Sequence, residues 1–135
     1  MVRRSTVART RAGETWTEAR FWTFIRSNLR MMSRKWPPIV SHVWKEARRP
    51  YKGRNRRRKW EYRCAMCKRW FPRKACQVDH IVACGRLKSW DDVPEFLSRL
   101  LCEVDGLRVL CRDNCHHQRT QLDNHFRKKK YRKKS

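Results

Sequence analysis

Cys64-Ala65-Met66-Cys67 and Cys111-Arg112-Asp113-Asn114-Cys115 are two close cysteine pairs, and Asp79-His80 lies between them. His116-His117 follows the last cysteine directly. Four thiolates can close a tetrahedral zinc site, and such sites draw their ligands from pairs with this kind of short spacing. The first pair has the C-x2-C spacing of a tight knuckle; the second is C-x3-C, one residue longer than the commonest form. The alternative is four buried free thiols, but two close pairs in a strand–turn–strand context favour zinc. Zinc binding contributes roughly 10–16 kcal/mol at neutral pH, enough to stabilise a domain too small to rely on its core.

Around the first pair, Trp60-Glu61-Tyr62-Arg63 predicts a short strand leading in, and Lys68 to Phe71 leads out. Pro72-Arg73-Lys74 makes a turn, and Ala75 to Val82 is a β-rich run. Together these predict a hairpin, ended by Gly85. Ser89-Trp90-Asp91-Asp92 is a helix start with acids in the first turn. The helix it opens has Val93, Phe96, Leu97, Leu100 and Leu101 on its apolar side. Leu107 to Leu110 brings the chain back to Cys111, and a last helix is predicted from about Asn114 to Lys128. Cys76, Cys84 and Cys102 each stand alone and read as small buried hydrophobes.

Upstream, residues 1–13 are polar and basic and read as a flexible arm. Thr15-Trp16-Thr17-Glu18 is a capping-box pattern that opens a helix through about Lys35, with Trp22, Ile25, Leu29 and Met32 on one face. Trp36-Pro37-Pro38 stops it, and a second helix from Ile39 to Arg48 buries Val40, Val43, Trp44 and Ala47. The organisation predicted is α+β: an arm (1–13), a helical extension (14–48), a basic linker (49–59), a zinc-stabilised domain (60–126) and a polycationic tail (127–135). No internal repeat is visible.

Lys and Arg number 36 against 12 Asp and Glu, a formal charge of +24. A charge of that size repels itself and is suited to a polyanion, with nucleic acid the leading partner. No stretch approaches the ~20 apolar residues of a membrane span, and Met1-Val2-Arg3-Arg4 runs into polar residues without a signal-like apolar core. A cytoplasmic chain with no membrane partner is expected. Seven cysteines, an odd number, then read as metal ligands or buried thiols rather than a disulfide framework. The linker contains Pro50 and Gly53 and is otherwise almost wholly basic. Such runs are usually solvated; in so basic a chain, phosphate contact is the better reading.

Asp79 and His80 end a predicted strand, so their side chains point to opposite faces. His116 falls in the first turn of the last helix, which zinc would pin beside the hairpin. Asp79 and His116 can then meet at one divalent ion; a carboxylate, an imidazole, water and phosphate oxygens suit Mg²⁺ or a first-row metal. His80 is a natural general base for water. The competing reading of the dyad is a structural hydrogen-bonded pair.

The set Cys64-x2-Cys67, Val78-Asp79-His80-Ile81-Val82, Leu107 to Cys111 and Cys115-His116-x2-Arg119-Thr120 resembles the HNH, or ββα-metal, endonuclease family, most of all its small bacteriophage and prophage members. The resemblance implies a ββα core with one divalent ion, held by Asp79 and His116, at the junction of hairpin and helix. It implies His80 as the base that activates the attacking water, Cys64, Cys67, Cys111 and Cys115 as structural zinc ligands, and DNA as substrate, with 5′-phosphate and 3′-hydroxyl products. No small-molecule cofactor is expected. Phage members serve as homing endonucleases or as partners of packaging terminases, which would place the chain in the cytoplasm of a bacterial host. Two positions depart from the family pattern. Gly106 stands where the family has a bracing Asn, with Asp105 beside it, and the extra residue between Cys111 and Cys115 can bring His117 rather than His116 to the metal, with Asn114 close by. Gly106 keeps a second reading open, a zinc-stabilised nucleic-acid-binding module without cleavage. The charge alone suggests a third, an RNA-binding protein of ribosomal type.

Overall fold

The computed structural model describes residues 7–132. The first six residues of the arm and residues 133–135 of the tail lie outside the described residues.

The amino-terminal part of the described chain is a small ribbon, not an open arm. Strand β1 (Arg9–Arg11) pairs antiparallel with β2 (Trp16–Thr17). The turn between them runs Ala12, Gly13 and Glu14 through left-handed backbone, with φ of 53°, 62° and 63°. Because the chain is still extended at Thr17, helix α1 (Glu18–Ser33) is capped by Thr17, whose hydroxyl accepts from the amide of Arg20. Thr15, the cap expected from sequence, instead donates its hydroxyl to the Ala12 carbonyl. Glu18 accepts from the Trp22 indole at 3.1 Å and pairs with Arg11 at 2.7 Å, tying ribbon to helix.

α1 buries Trp22 against Cys84, Leu87 and two residues of helix α3 (Val93–Leu100), Phe96 and Leu100, with Phe21, Ile25 and Leu29 at the margin. Met32, expected on the same face, is exposed. The 3₁₀ turn Trp90–Asp92 leads into α3. The helical repeat read from sequence thus has a concrete partner: α1 and α3 close one apolar core across the intervening chain. Phe96 is fully buried at its centre. Truncating a buried Phe costs about 3–5 kcal/mol. Phe96→Ala is expected to lower the urea midpoint accordingly while leaving bound zinc at its wild-type stoichiometry, because the paired cysteines belong to a different cluster.

A π-helical turn (Pro38–His42) and a short helix α2 (Val43–Ala47) follow. Val43 seals a second core with Tyr62, Cys76, Leu107 and Val109, whereas Val40 faces outward. Residues 49–59, which read as a linker, are held at both ends: strand β3 (Arg48–Pro50) pairs with β4 (Trp60–Arg63), and Tyr51 N–H donates to the Lys59 carbonyl at 2.9 Å. β4 also pairs with β5 (Trp70–Phe71) around the Cys64–Cys67 knuckle.

The predicted hairpin divides into two. Pro72 and the 3₁₀ turn Arg73–Ala75 carry the chain out of the β3–β4–β5 sheet. The next strand, β6 (Cys76–His80), pairs with the later β7 (Leu107–Cys111), in register from Cys76↔Cys111 to His80↔Leu107. Proline has no amide to continue a ladder, and β7 offers a run of apolar residues for both faces. Last comes α4 (His117–Arg132), entered through the π-helical turn Arg112–His116. The chain is therefore a small α+β fold, with β6 and β7 paired and α4 following β7 through that turn. Among the described residues no helix is long and apolar enough to cross a membrane.

Candidate metal centre and active site

The knuckle after β4 and the end of β7 meet through Leu110 and Cys64, both fully buried. Ala65 N–H donates to the Val109 carbonyl at 2.8 Å, and Lys68 N–H donates to the Cys64 carbonyl at 3.0 Å, closing the knuckle with Lys68 at φ 64°. These bonds bring Cys64, Cys67, Cys111 and Cys115 together, with all four sulfurs within 4.8 Å of one another. Cys67 Sγ and Cys111 Sγ are 4.0 Å apart. Zn–S bonds near 2.3 Å in a tetrahedron require sulfur separations of roughly 3.8 Å. The four residues can hold a zinc ion, and their chemistry, thiolate only, selects a soft or borderline metal.

The extra residue of C-x3-C is absorbed in the π-helical turn. A π turn accommodates one more residue than an α turn, so Cys115 still comes back to Cys111, its amide donating to Cys111 Sγ at 3.4 Å. The protons of the cluster follow the same geometry. Burial pushes the Cys64 thiol up, but amides including those of Cys67 and Cys111 outweigh it and bring it down to about 6. Burial, together with the neighbouring thiols, pushes Cys115 up to about 12. Cys64 gives up its proton readily and Cys115 resists, a resistance that a bound cation reverses.

Of the three solitary cysteines, Cys76 and Cys84 are buried and Cys102 is half-buried. Burial, with repulsion from the neighbouring Cys64 and Cys111 sulfurs, lifts Cys76 to about 11, and burial also raises Cys84 and Cys102. The nucleophile is the thiolate. In zinc-loaded native protein at neutral pH these three should resist iodoacetamide, and mass spectrometry should find them alkylated only after unfolding.

The β6–β7 register sorts the rest of the site onto two faces. Cys76, Val78 and His80 share one face with Leu107 and Val109; Gln77 and Asp79 share the other with Arg108 and Leu110. As expected, Asp79 and His80 point apart. On the first face, His80 Nε2 lies 3.0 Å from the Leu100 carbonyl oxygen, at the end of α3. A carbonyl only accepts, so Nε2 carries the hydrogen and Nδ1 of the neutral ring keeps its lone pair. On the second face, Asp79 is 8 % exposed, and Arg108 Nε donates to its Oδ2 at 3.0 Å. Neither partner is legible in the sequence: Arg108 depends on which strand β6 chooses, and Leu100 on where α3 packs.

The start of α4 shares a cleft with Gln77 of this second face, and Asp79 does not line that cleft. Arg119 donates to the Ile81 carbonyl at 3.0 Å, anchoring the helix just past the dyad. A cleft of about 440 Å³ between strand and helix is lined by Gln77, Arg112, Asp113, His116, His117 and Thr120. Both candidate histidines therefore reach the same cleft, which leaves the choice between them as the sequence leaves it. Asn114 lies in the turn beside it and accepts from Gln118 at 2.9 Å. Asp79 stands two residues along β6 from Gln77, on the same face. Among the described residues, the four cysteines are the one set of three or more His, Cys, Asp or Glu ligand atoms that converge.

Gly106 ends the 3₁₀ turn Val104–Gly106. Its carbonyl accepts from Ile81 N–H at 3.0 Å, so the backbone holds the end of β6 there. A Cβ at this position would sit 2.9 Å from Cys102 Sγ, which excludes a side chain unless Cys102 moves.

No protein-family model, curated protein or solved structure matches the chain.

Proposed function

We propose that the chain is a metal-dependent endonuclease of the HNH type that hydrolyses DNA phosphodiester bonds. The observation that carries this reading is the His80 ring held by the Leu100 carbonyl at 3.0 Å. That bond fixes the tautomer with a bare Nδ1, which is what a general base for water needs. Three further features support it: the four-cysteine cluster that ties helix to strands, the β6–β7–α4 order, and the cleft carrying His116 and His117 on the Asp79 face.

In this mechanism the substrate lies across the carboxyl end of β6, within reach of both faces; there His80 Nδ1 would take the proton from water as its oxygen bonds to phosphorus and the P–O3′ bond breaks, the departing oxygen taking its proton from solvent. Asp79 and His116, with His117 as the alternative to His116, would hold the catalytic ion. Few protein ligands suffice, because Mg²⁺ keeps several waters and takes phosphate oxygens from substrate. The ion, when bound, stabilises charge on the phosphate and the departing 3′ oxygen. Arg108 draws one Asp79 oxygen toward itself and so sets how the carboxylate is oriented. Arg119 holds the histidine-bearing helix to the chain just past β6. Products would carry 5′-phosphate and 3′-hydroxyl ends.

The second reading is a zinc-stabilised nucleic-acid-binding protein without cleavage. The Asp79–Arg108 ion pair favours it, since Arg108 competes with a cation for the carboxylate, and Gly106 offers no polar side chain to brace the dyad. Supercoiled plasmid separates the two. Zinc-loaded protein is expected to relax or linearise it when Mg²⁺ or Mn²⁺ is added, and to leave it intact without either. Retardation of the plasmid with no strand break under both conditions would establish the binding-only reading.

A further inference from the structure

We propose that the β3–β4 ribbon and its loop form a second nucleic-acid contact, separate from the cleft, that enters the major groove of duplex DNA and grips the phosphates on either side. The proposal rests on DNA being the partner and not on cleavage.

The ribbon carries arginines laid flat on aromatic rings. Arg48 lies over Trp60 with its Cζ 3.9 Å from the ring centroid, and Arg49 lies over Trp70 at 3.8 Å. In the loop, Arg58 lies over Tyr51 at 4.2 Å. The pairing Arg48↔Tyr62, Arg49↔Glu61, Pro50↔Trp60 puts Arg48 and Arg49 on opposite faces. Stacking leaves these side chains little rotamer freedom to lose on binding; Arg49 and Arg58 are turned toward Glu61, so phosphate contact falls first to Arg48 and the exposed loop cations. β5 joins the sheet only at Tyr62 and Arg63, so the ribbon beyond them is two-stranded. The major groove admits a two-stranded ribbon. Cations on both faces suit a slot with phosphate on both walls.

The loop is built, not slack. Asn55 Oδ1 accepts from Arg57 N–H at 3.1 Å, and the Asn55 carbonyl accepts from Arg58 N–H at 3.1 Å. Gly53 makes room for the Tyr51 ring: a Cβ there would collide with the Tyr51 hydroxyl. This order presents Lys52, Arg54, Arg56, Arg57 and Lys59 to solvent, with no acid between Arg48 and Lys59. Glu61 is the nearby counter-charge; it pairs with Arg49 and with Arg58, the latter at 3.6 Å. Each ring has one face taken by a guanidinium and so serves to orient an arginine. A two-stranded ribbon with cations along its loop fits the major groove, and duplex DNA is therefore the occupant.

The test is fluorescence anisotropy with a short mixed-sequence DNA duplex and the corresponding single strand, in zinc-loaded protein without Mg²⁺ or Mn²⁺. Wild type is expected to prefer the duplex. Each phosphate that the protein no longer neutralises flattens the log–log salt slope by roughly 0.9, so a variant combining Arg54→Gln, Arg56→Gln and Arg57→Gln should flatten it by up to about 3. Trp60→Leu and Trp70→Leu keep every charge; each should weaken duplex binding several-fold by releasing the arginine stacked on it. Zinc content and circular dichroism verify that the variants are folded. Wild-type affinity and slope in all of these variants would overturn the proposal, as would a preference for the single strand. If the ribbon variants bind weakly while wild type never cuts plasmid, the ribbon stands and the nuclease reading falls. If they bind as wild type and still cut, the reverse holds.

Discussion

Cys64→Ser is expected to lose zinc and fold together. Cys64 is fully buried against Leu110, Cys111 and Cys115, at the point where the knuckle meets the end of β7. A serine hydroxyl there is a poor ligand and is left in apolar surroundings. The variant also lacks the thiol that ionises first, while Cys115 keeps its raised proton affinity. Zinc binding contributes roughly 10–16 kcal/mol in small zinc domains, against a total stability of about 5–15 kcal/mol for ordinary domains. Loss of that term exceeds what the Leu110 cluster can supply. The measurement is metal content by atomic emission beside the thermal melt. One zinc per wild-type chain, with none in the variant and no cooperative transition, is the expected result. A zinc-loaded Cys64→Ser protein with a wild-type melt would remove Cys64 from the ligand set. Because Phe96 and Trp22 belong to the other core, residual helicity from α1 and α3 in the variant remains compatible with the assignment.

The cysteine set is legible in the sequence because ligand spacing is local. Two residues between Cys64 and Cys67, and a strand leading to each pair, are enough to bring four sulfurs to one point. The apolar sides of α1 and α3 are legible for the same reason, since helical periodicity is written within a few turns. Strand pairing is different. β6 has more than one possible partner, and the choice of β7 over β4 or β5 follows from Pro72 and from packing of Val109 and Leu107 against Val43, contacts remote in sequence. That choice produces Asp79–Arg108, and the packing of α3 brings Leu100 to His80, so the partners of the dyad cannot be read from the dyad's own neighbourhood. The Arg48–Lys59 stretch shows the same limit. Its composition reads as a linker; its order comes from pairing with Trp60 to Tyr62 and from rings that lie under its arginines.

His80→Ala is expected to reduce metal-dependent plasmid cleavage by about 10²–10⁴-fold, the range that general-base catalysis contributes. Duplex affinity should not change, because an imidazole held against the Leu100 carbonyl adds nothing to the cationic surface that grips phosphate. Asp79→Asn gives a second, separable signature. It removes the charge that attracts a cation but keeps a polar acceptor for Arg108, so rate at fixed Mg²⁺ should fall while the Mg²⁺ concentration needed for half-maximal rate rises. His116→Ala and His117→Ala then share one assay: the true ligand is the one whose loss raises that concentration, and the other should leave it unchanged. Asp79→Asn must also retain zinc, since its carboxylate is no part of the sulfur cluster. If His80→Ala cuts at the wild-type rate, the imidazole held by the Leu100 carbonyl is a structural hydrogen bond and the attacking water is activated by another group. If only Asp79→Asn is impaired and its zinc is gone, the β6–β7 pairing carries Asp79 for stability, and Arg108 is its reason for being there.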